Sequence, residues 1–523
     1  MLRTLRSLLR LLVIARTLAR HDVLGALEEL RVAPGILWLA RRIYRRRAAS
    51  LPGGRPGQKL ARALTDLGPS FIKLGQFLST RADLLGEQLA ADLSDLQDRL
   101  PPFASKEARA TIERELGKPL GDLFRSFDDV PISAASIAQV HLATVPGPSG
   151  GEDGGPDAEV AIKVLRPGIE RAFERDLELL YWVAGLVERT QPRLRRFKPV
   201  ESVRMFEATV RIEMDLRMEA AAAAELAENF ADDPSYHLPR IDWQRTSRRV
   251  LTMARVDGIR LDDRAALIAA GHDLTEVLTK AAAIFFNQVF RDGFFHGDQH
   301  PGNMFVDAQG DIVAVDFGIM GRLDRKTRTF LADMLLALLA RDYRRLADIH
   351  LEAGFLPSGQ PRDTFAQALR SVSEPIFDRS LNEISFARLL GRMLQLTEAF
   401  DMPVQPQLLV LQKNMMMAEG VSRRLDPNLN IWTLAEPLIE AWMIENRGPE
   451  ARARNAIQDL GRTLERLPRL AAEAERLASD VASGGLRLHP DSLKAMGGGD
   501  AGRSARWAFW IALAALAVAL LAV

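Results

Sequence analysis

No cysteine occurs anywhere in the 523 residues. That single absence excludes disulfides, thiolate metal sites and a cysteine nucleophile, and it suits a body facing the cytoplasm. Net charge is nearly absent as well: 69 Lys and Arg stand against 68 Asp and Glu, so no overall basic field points to nucleic acid. There is no internal repeat. No cleavable signal peptide is expected in the first segment, since its apolar centre, "LLVIA", is too short for a signal core and no small-residue cleavage site follows it. What is present is an ordinary globular composition, 47% hydrophobic and 26% charged, over a length that suits several domains.

The two ends differ from the middle. "MLRTLRSLLRLLVIARTLAR" alternates arginines and leucines at helical spacing, the pattern of a basic amphipathic helix that lies on a membrane surface or packs on a domain with a solvated basic face. From Trp507 to Val523 the chain reads "WAFWIALAALAVALLAV", 17 residues without a charge, after a glycine-rich linker. At helical rise this run spans roughly 26 Å against an apolar bilayer core of about 30 Å, a marginal crossing. Trp507 and Trp510 fall where an aromatic belt belongs, and Arg503 and Arg506 flank the run on the body side. The expectation is a C-terminal transmembrane anchor with a cytoplasmic body; the alternative is a buried or interfacial helix.

Between the ends helical patterns dominate, with one interruption. Two β-rich runs, Ile137 to Val145 and Glu159 to Leu165, flank a Gly/Pro-rich loop at 146–157 and predict a hairpin with a long connection. A further strand is expected within 248–256, and a last pair in "NMFVDAQGDIVAVDFG", with helices from 325 to about 480. This order predicts an α+β, helix-rich, two-lobed nucleotide enzyme.

The chemistry concentrates in "HGDQHPGN" and "DFG". Asp298 lies five residues before Asn303, and Asp316 opens the Asp-Phe-Gly 13 residues further on. Phosphoryl-transfer enzymes of the kinase type use a catalytic-loop Asp, a metal-binding Asn five residues later, a hairpin, and an Asp-Phe-Gly whose carboxylate holds Mg²⁺. Upstream, "VAIK" ends a strand at Lys163, where the kinase ammonium meets the α/β-phosphates. Asp298 is then the proton acceptor or positioner for the attacking oxygen, and Asn303 and Asp316 the Mg²⁺ ligands. A zinc site at His296 and His300 has suitable spacing, but Pro301 and the neighbouring glycines argue against a helix that would carry it. Asp215 and Glu219, four apart, are like-charge neighbours on any continuous helix and call for a nearby cation.

Taken together these motifs resemble the UbiB/AarF family of atypical kinases, also called the ADCK family, over roughly residues 20 to 440. "FIKLGQFLSTR" resembles its KxGQ motif, with Lys73 and Gln76 one helical turn apart. "PISAASIAQVH" resembles its alanine-rich nucleotide loop, and "EMDLRMEA" its ExD motif, Glu213 and Asp215, followed by Glu219. The resemblance implies a protein-kinase-like fold with segments 1–50 (basic helices), 51–125 (KxGQ extension), 126–260 (N-lobe), 261–480 (C-lobe), 481–506 (linker) and 507–523 (anchor). It implies a nucleotide site at Ile132, Ala134, Ala135, Ser136, Ala138, Val140, Lys163, Glu219 and Met253, with Glu219 the chosen partner of Lys163 among the three acids Glu213, Asp215 and Glu219, a choice that the sequence leaves open. Ala134 and Ala135 stand where glycines would let backbone N–H groups cradle a phosphate; their Cβ atoms forbid most positive-φ conformations and stiffen the loop.

Departures matter too. Ala254 follows the hinge methionine where the family usually carries an acid, and after Asp-Phe-Gly the chain is expected to run straight into helix with no activation segment. A peptide substrate therefore has no obvious platform. The family often ends in two transmembrane helices, and one short run is found here. The resemblance implies an ATP- and Mg²⁺-dependent enzyme of ubiquinone biosynthesis at the inner membrane, acting on polyprenyl lipid precursors beside other quinone-biosynthesis enzymes. The alternative is a catalytically weak nucleotide-binding scaffold for such a complex.

Overall fold

The computed structural model describes residues 2–23, 54–79, 100–146, 157–191, 198–357, 359–377 and 406–426, with isolated positions between them. The chain separates into two compact units, Met1–Trp442 and Met443–Val523, and every element below belongs to the first. The apolar run at 507–523 lies outside the described residues; among the described residues no helix is long and apolar enough to cross a membrane.

Helices open the chain. α1 (Leu2–Arg20) is followed by α2 (Pro56–Leu67) and α3 (Pro69–Ser79). The basic helix α1 buries Ala15, Leu18 and Ala19, of which Leu18 and Ala19 pack with Ala63 of α2, while Leu12 and Val13 stay exposed. Arg10 reaches inward, gripping both oxygens of the buried Asp176 at 2.9 and 3.1 Å and lying over the Phe71 ring. The side chain that looked like part of a solvated basic face is thus an anchor.

Next come α4 (Ser105–Leu116), α5 (Leu120–Leu123), β1 (Ser126–Phe127), β2 (Ser133–Ala134), β3 (Ala138–Val145), β4 (Ala158–Leu165), α6 (Ile169–Thr190), α7 (Pro199–Glu213), α8 (Leu216–Asn229), β5 (Tyr236–His237) and β6 (Val250–Ala254). Strands β1, β3, β4 and β6 form one antiparallel sheet in that order, with β2 also on β3. Period-two alternation sorts its faces. Ala143, Val145, Val160, Ile162, Val164 and Val250 pack on Ile112 of α4 and on Leu120, Leu123 and Phe124. The paired registers Val140↔Lys163 and Ala161↔Met253 put Ala138, Val140, Lys163 and Met253 on the opposite face.

The helical lobe contains β7 (Ile259–Arg260), α9 (Arg264–Ala269), α10 (Leu274–Phe286) with a π-helical turn at Asn287–Asp292, β8 (Phe294–His296), β9 (Met304–Val306), β10 (Ile312–Ala314), β11 (Met320–Arg322), α11 (Arg325–Leu339), α12 (Tyr343–Glu352), α13 (Arg362–Phe377) and α14 (Pro406–Leu425). The expected closing hairpin is β9–β10, and it gains two edges invisible in the sequence, β7 on β9 and β5 parallel to β10. These short strands carry too little pattern to be read locally. The stretch after Asp-Phe-Gly does not run straight into helix: it first forms β11, paired antiparallel to β8. Asp324 then caps α11 through the Thr327 N–H at 2.7 Å.

The β8–β11 pair depends on a missing side chain. Gly321 sits opposite Phe295, and a Cβ at Gly321 would fall 2.0 Å from the Phe295 ring, which is fully buried. Gly321→Ala is expected to destabilise the fold by about 1–3 kcal/mol, read as a lowered denaturation midpoint. Recovery of that midpoint in Gly321→Ala/Phe295→Leu would identify the ring as the cause.

Candidate active site

Of the residues expected on the nucleotide side, Ala138, Val140, Lys163 and Met253 share one sheet face. The alanine-rich stretch forms a tight turn in which β2 pairs with β3 and the Ala135 N–H donates to Ala138 O at 2.8 Å. Arg166, just past β4, donates to Ala135 O and Ser136 O at 3.3 Å each. Neither Ala134 nor Ala135 adopts a positive φ, as their Cβ atoms require. Ser136 and Ala138 are buried, Ile132 is exposed, and Met253 is buried in the core beneath the same face.

Lys163 is the hub of the site. Its ammonium donates to Glu219 Oε1 and Oε2 at 2.7 and 3.0 Å and to Asp316 Oδ1 at 2.9 Å. Burial by itself would lower the Lys163 pKa, but the charges of Asp316 and Glu219 outweigh it and hold the ammonium well above its ordinary range. Burial pushes Glu219 up to about 7 against the pull of Lys163, and the nearby Asp316 charge adds to the rise. Lys163 holds the Asp316 carboxyl well below the usual carboxylate range, with Lys73 assisting at longer reach. Asp316 sits at φ 63° with its side chain 51% exposed, a left-handed conformation that short polar side chains tolerate.

The three acids of the ExD stretch go to three different partners, because the helix breaks between them. α7 ends at Glu213; Asp215 caps α8 through the Arg217 N–H and grips the Arg217 guanidinium at 2.7 and 2.9 Å. Asp215 and Glu219 are therefore not neighbours on one continuous helix. Arg211 pairs with Glu207, one turn earlier on α7. Glu213 meets Lys73 of α3 at 2.8 Å, both side chains nearly buried at 10% and 11% exposure. Phe77 packs on Phe206 of α7 with ring centroids 5.5 Å apart, so the KxGQ helix is seated directly on the helices behind Lys163. Gln76 is half-buried one turn on, with no side-chain partner among the described residues.

The loop that carries Asp298 and Asn303 is held from inside. His296 is fully buried, donates from Nε2 to Val315 O at 3.2 Å and accepts the Asp298 N–H on Nδ1 at 3.1 Å. Burial lowers its pKa, which keeps the ring neutral and preserves that acceptor. His300 likewise accepts the Gly302 N–H on Nδ1, so neither ring is arranged for a shared metal ion. Gly297 donates to Ile319 O at 2.8 Å, and a Cβ there would lie 2.7 Å from Ile319 Cγ2. The Asn303 amide donates to Asp298 O at 3.1 Å, which leaves its Oδ1 without a protein partner among the described residues. That free oxygen and the half-exposed Asp316 carboxylate are hard donors of the kind a divalent cation takes.

Two residues of the site carry no local signal. Lys413 of α14 donates to Asp298 Oδ1 at 2.9 Å, and Asn414 donates to His296 O at 2.6 Å. They lie over a hundred positions from the loop they touch, and "LQKNMMM" reads as an ordinary amphipathic helix.

A strand lysine paired with a helix glutamate, an Asp-x₄-Asn loop and a following Asp-Phe-Gly on one scaffold define an atypical-kinase-like protein. Residues 95–350 match the family model for the ABC1 atypical kinase-like domain, and residues 369–430 match that for the UbiB helical domain. A protein from Marinobacter nauticus is 44% identical over 79% of this chain and 75% of its own length. One from Xanthomonas euvesicatoria pv. vesicatoria is 41% identical over 90% and 84%, and one from Azotobacter vinelandii 42% over 81% and 77%; each bears the name "Probable protein kinase UbiB". The chain belongs to the UbiB family.

The buried Lys73–Glu213 pair generates a prediction. Lys73→Met leaves the Glu213 carboxylate uncompensated and is expected to cost roughly 3 kcal/mol or more, read by thermal or denaturant unfolding. The double variant Lys73→Met/Glu213→Met should recover most of the loss; no recovery would mean that the pair is not what joins α3 to α7.

Proposed function

We propose that the chain is a membrane-attached, ATP-dependent phosphotransferase or ATPase that supports ubiquinone biosynthesis. The observation that carries this reading is the three-way contact of Lys163 with Glu219 and Asp316, formed beside a loop that presents Asp298 and Asn303. A binding scaffold has no need of the last two.

In this mechanism the adenine lies against the Lys163 face of the sheet, near Ala138, Val140 and Met253, with the Ala134–Ala135 turn covering the phosphates. Lys163, oriented by Glu219, meets the α/β-phosphates. Asn303 Oδ1 and the Asp316 carboxylate would hold Mg²⁺, which when bound offsets charge on the β- and γ-phosphate oxygens. Asp298 takes the proton of the attacking hydroxyl or water as its oxygen bonds to the γ-phosphorus and the β–γ bridge breaks toward ADP. His296 orients Asp298 by accepting its backbone N–H.

Membrane attachment rests on the uncharged run at 507–523, with the body on the cytoplasmic side of the inner membrane. An anchored kinase-like site without an activation segment favours a lipid acceptor. We take polyprenylated quinone precursors as the substrate class and enzymes of the same biosynthesis as partners.

Asp298→Asn is expected to lower ATP turnover of the liposome-bound protein by about 10²- to 10⁴-fold while nucleotide affinity stays near that of the parent. Turnover equal to the parent's would remove the catalytic reading. Complementation of a quinone-deficient strain by a hydrolysis-dead Asp298→Asn protein would favour the scaffold instead.

A further inference from the structure

Helix α14 meets the catalytic loop with two consecutive side chains. Asn414 is fully buried, donates to His296 O at 2.6 Å and accepts the Gln299 N–H at 3.4 Å, so it grips the backbone on both sides of Asp298. The adjacent Lys413 is thereby positioned, and its ammonium lies 2.9 Å from Asp298 Oδ1. The two side chains are 29% and 30% exposed, open enough for a ligand to reach them.

The loop itself supplies no strong cation: from Asp298 to Asn303 it reads "DQHPGN", without Lys or Arg. The other two lysines of the site are engaged elsewhere, Lys163 by Glu219 and Asp316 and Lys73 by Glu213. Phosphoryl transfer nevertheless spreads negative charge over the equatorial oxygens of the moving group, and a fixed cation there lowers the barrier. An ammonium has three donors. Among the described residues Asp298 takes one of those on Lys413, which leaves two for a phosphoryl oxygen.

We propose that Lys413 is a further catalytic residue, contacting the γ-phosphoryl group at the acceptor end while holding the Asp298 carboxylate aimed. The inference rests on the phosphoryl-transfer reading above. Lys413 neither gains nor loses a proton in the step; the acceptor's proton still goes to Asp298. The arrangement also makes the helix that follows the kinase-like domain part of its active site.

The test measures ATP turnover of full-length protein in liposomes for the parent, Lys413→Met, Lys413→Arg and Asp298→Asn, with melting temperatures for each. Lys413→Met is expected to lower kcat by about 10²-fold, with KM for ATP within a few-fold because the sheet face and Lys163 are untouched. Lys413→Arg should keep most of the turnover. Parental kcat in Lys413→Met, while Asp298→Asn is inactive, overturns this role and leaves the functional reading standing. A faster Lys413→Met also overturns it, since the lysine would then be a brake on Asp298. So does a folded Lys413→Arg no better than Lys413→Met. Asp298→Asn as fast as the parent removes both readings at once.

Discussion

One ammonium, that of Lys163, sits between two carboxylates, Glu219 and Asp316, brought from different parts of the chain. It joins the sheet through β4, the first turn of α8, and the segment that follows β10. Such charges are costly to bury unless they are paired and hydrogen-bonded, so the three elements are constrained to meet at this point. The cluster carries one more negative charge than positive. Burial places the resulting strain on Glu219, pushed up to about 7, while Asp316 stays ionised at the exposed side. The excess charge is therefore carried where a divalent cation is proposed to bind.

The loop that carries Asp298 is held on a different principle. Its fixed points are neutral groups in a buried network: His296, Gln288 and Asn414 are all fully buried and hold the loop through its backbone, with the Gln288 Oε1 accepting the His296 N–H at 2.9 Å. Neutral hydrogen-bonding groups can be buried at little cost when they are satisfied, and here the Gln288 Nε2 is an exception, buried without a hydrogen-bond partner among the described residues. The loop that presents Asp298 is consequently rigid beneath and open above. Two lobes, one fastened by charge and one by hydrogen bonds, converge on the same small volume.

Much of this is legible in the sequence. The strands β3, β4 and β6 follow from runs of β-forming residues, and the β9–β10 hairpin from the turn residues between its strands. Asp298, Asn303 and Asp316 stand out by spacing, and Lys163 by its strand-end position. The three ExD-region acids were not separable in that way. Their fates were decided by a helix break at Asp215, where the Leu216 N–H donates to Arg248 O at 3.0 Å instead of continuing α7. That bond comes from a segment 32 positions away, and no helical periodicity within the acids themselves reports it. The short strands β5, β7, β8 and β11 escaped for a related reason: two or three residues carry no period, and each exists only because a partner strand is already present.

The sequence by itself determined the kinds of chemistry available, the order of the elements, the family resemblance, the basic amphipathic character of one end and the apolar character of the other, because composition, periodicity and motif spacing are local properties of the chain. Tertiary structure alone decided which carboxylate meets which lysine: Glu219 with Lys163, Glu213 with Lys73, Asp298 with Lys413. Pairing of charges depends on distance and burial, and both are set by contacts between segments far apart in the chain.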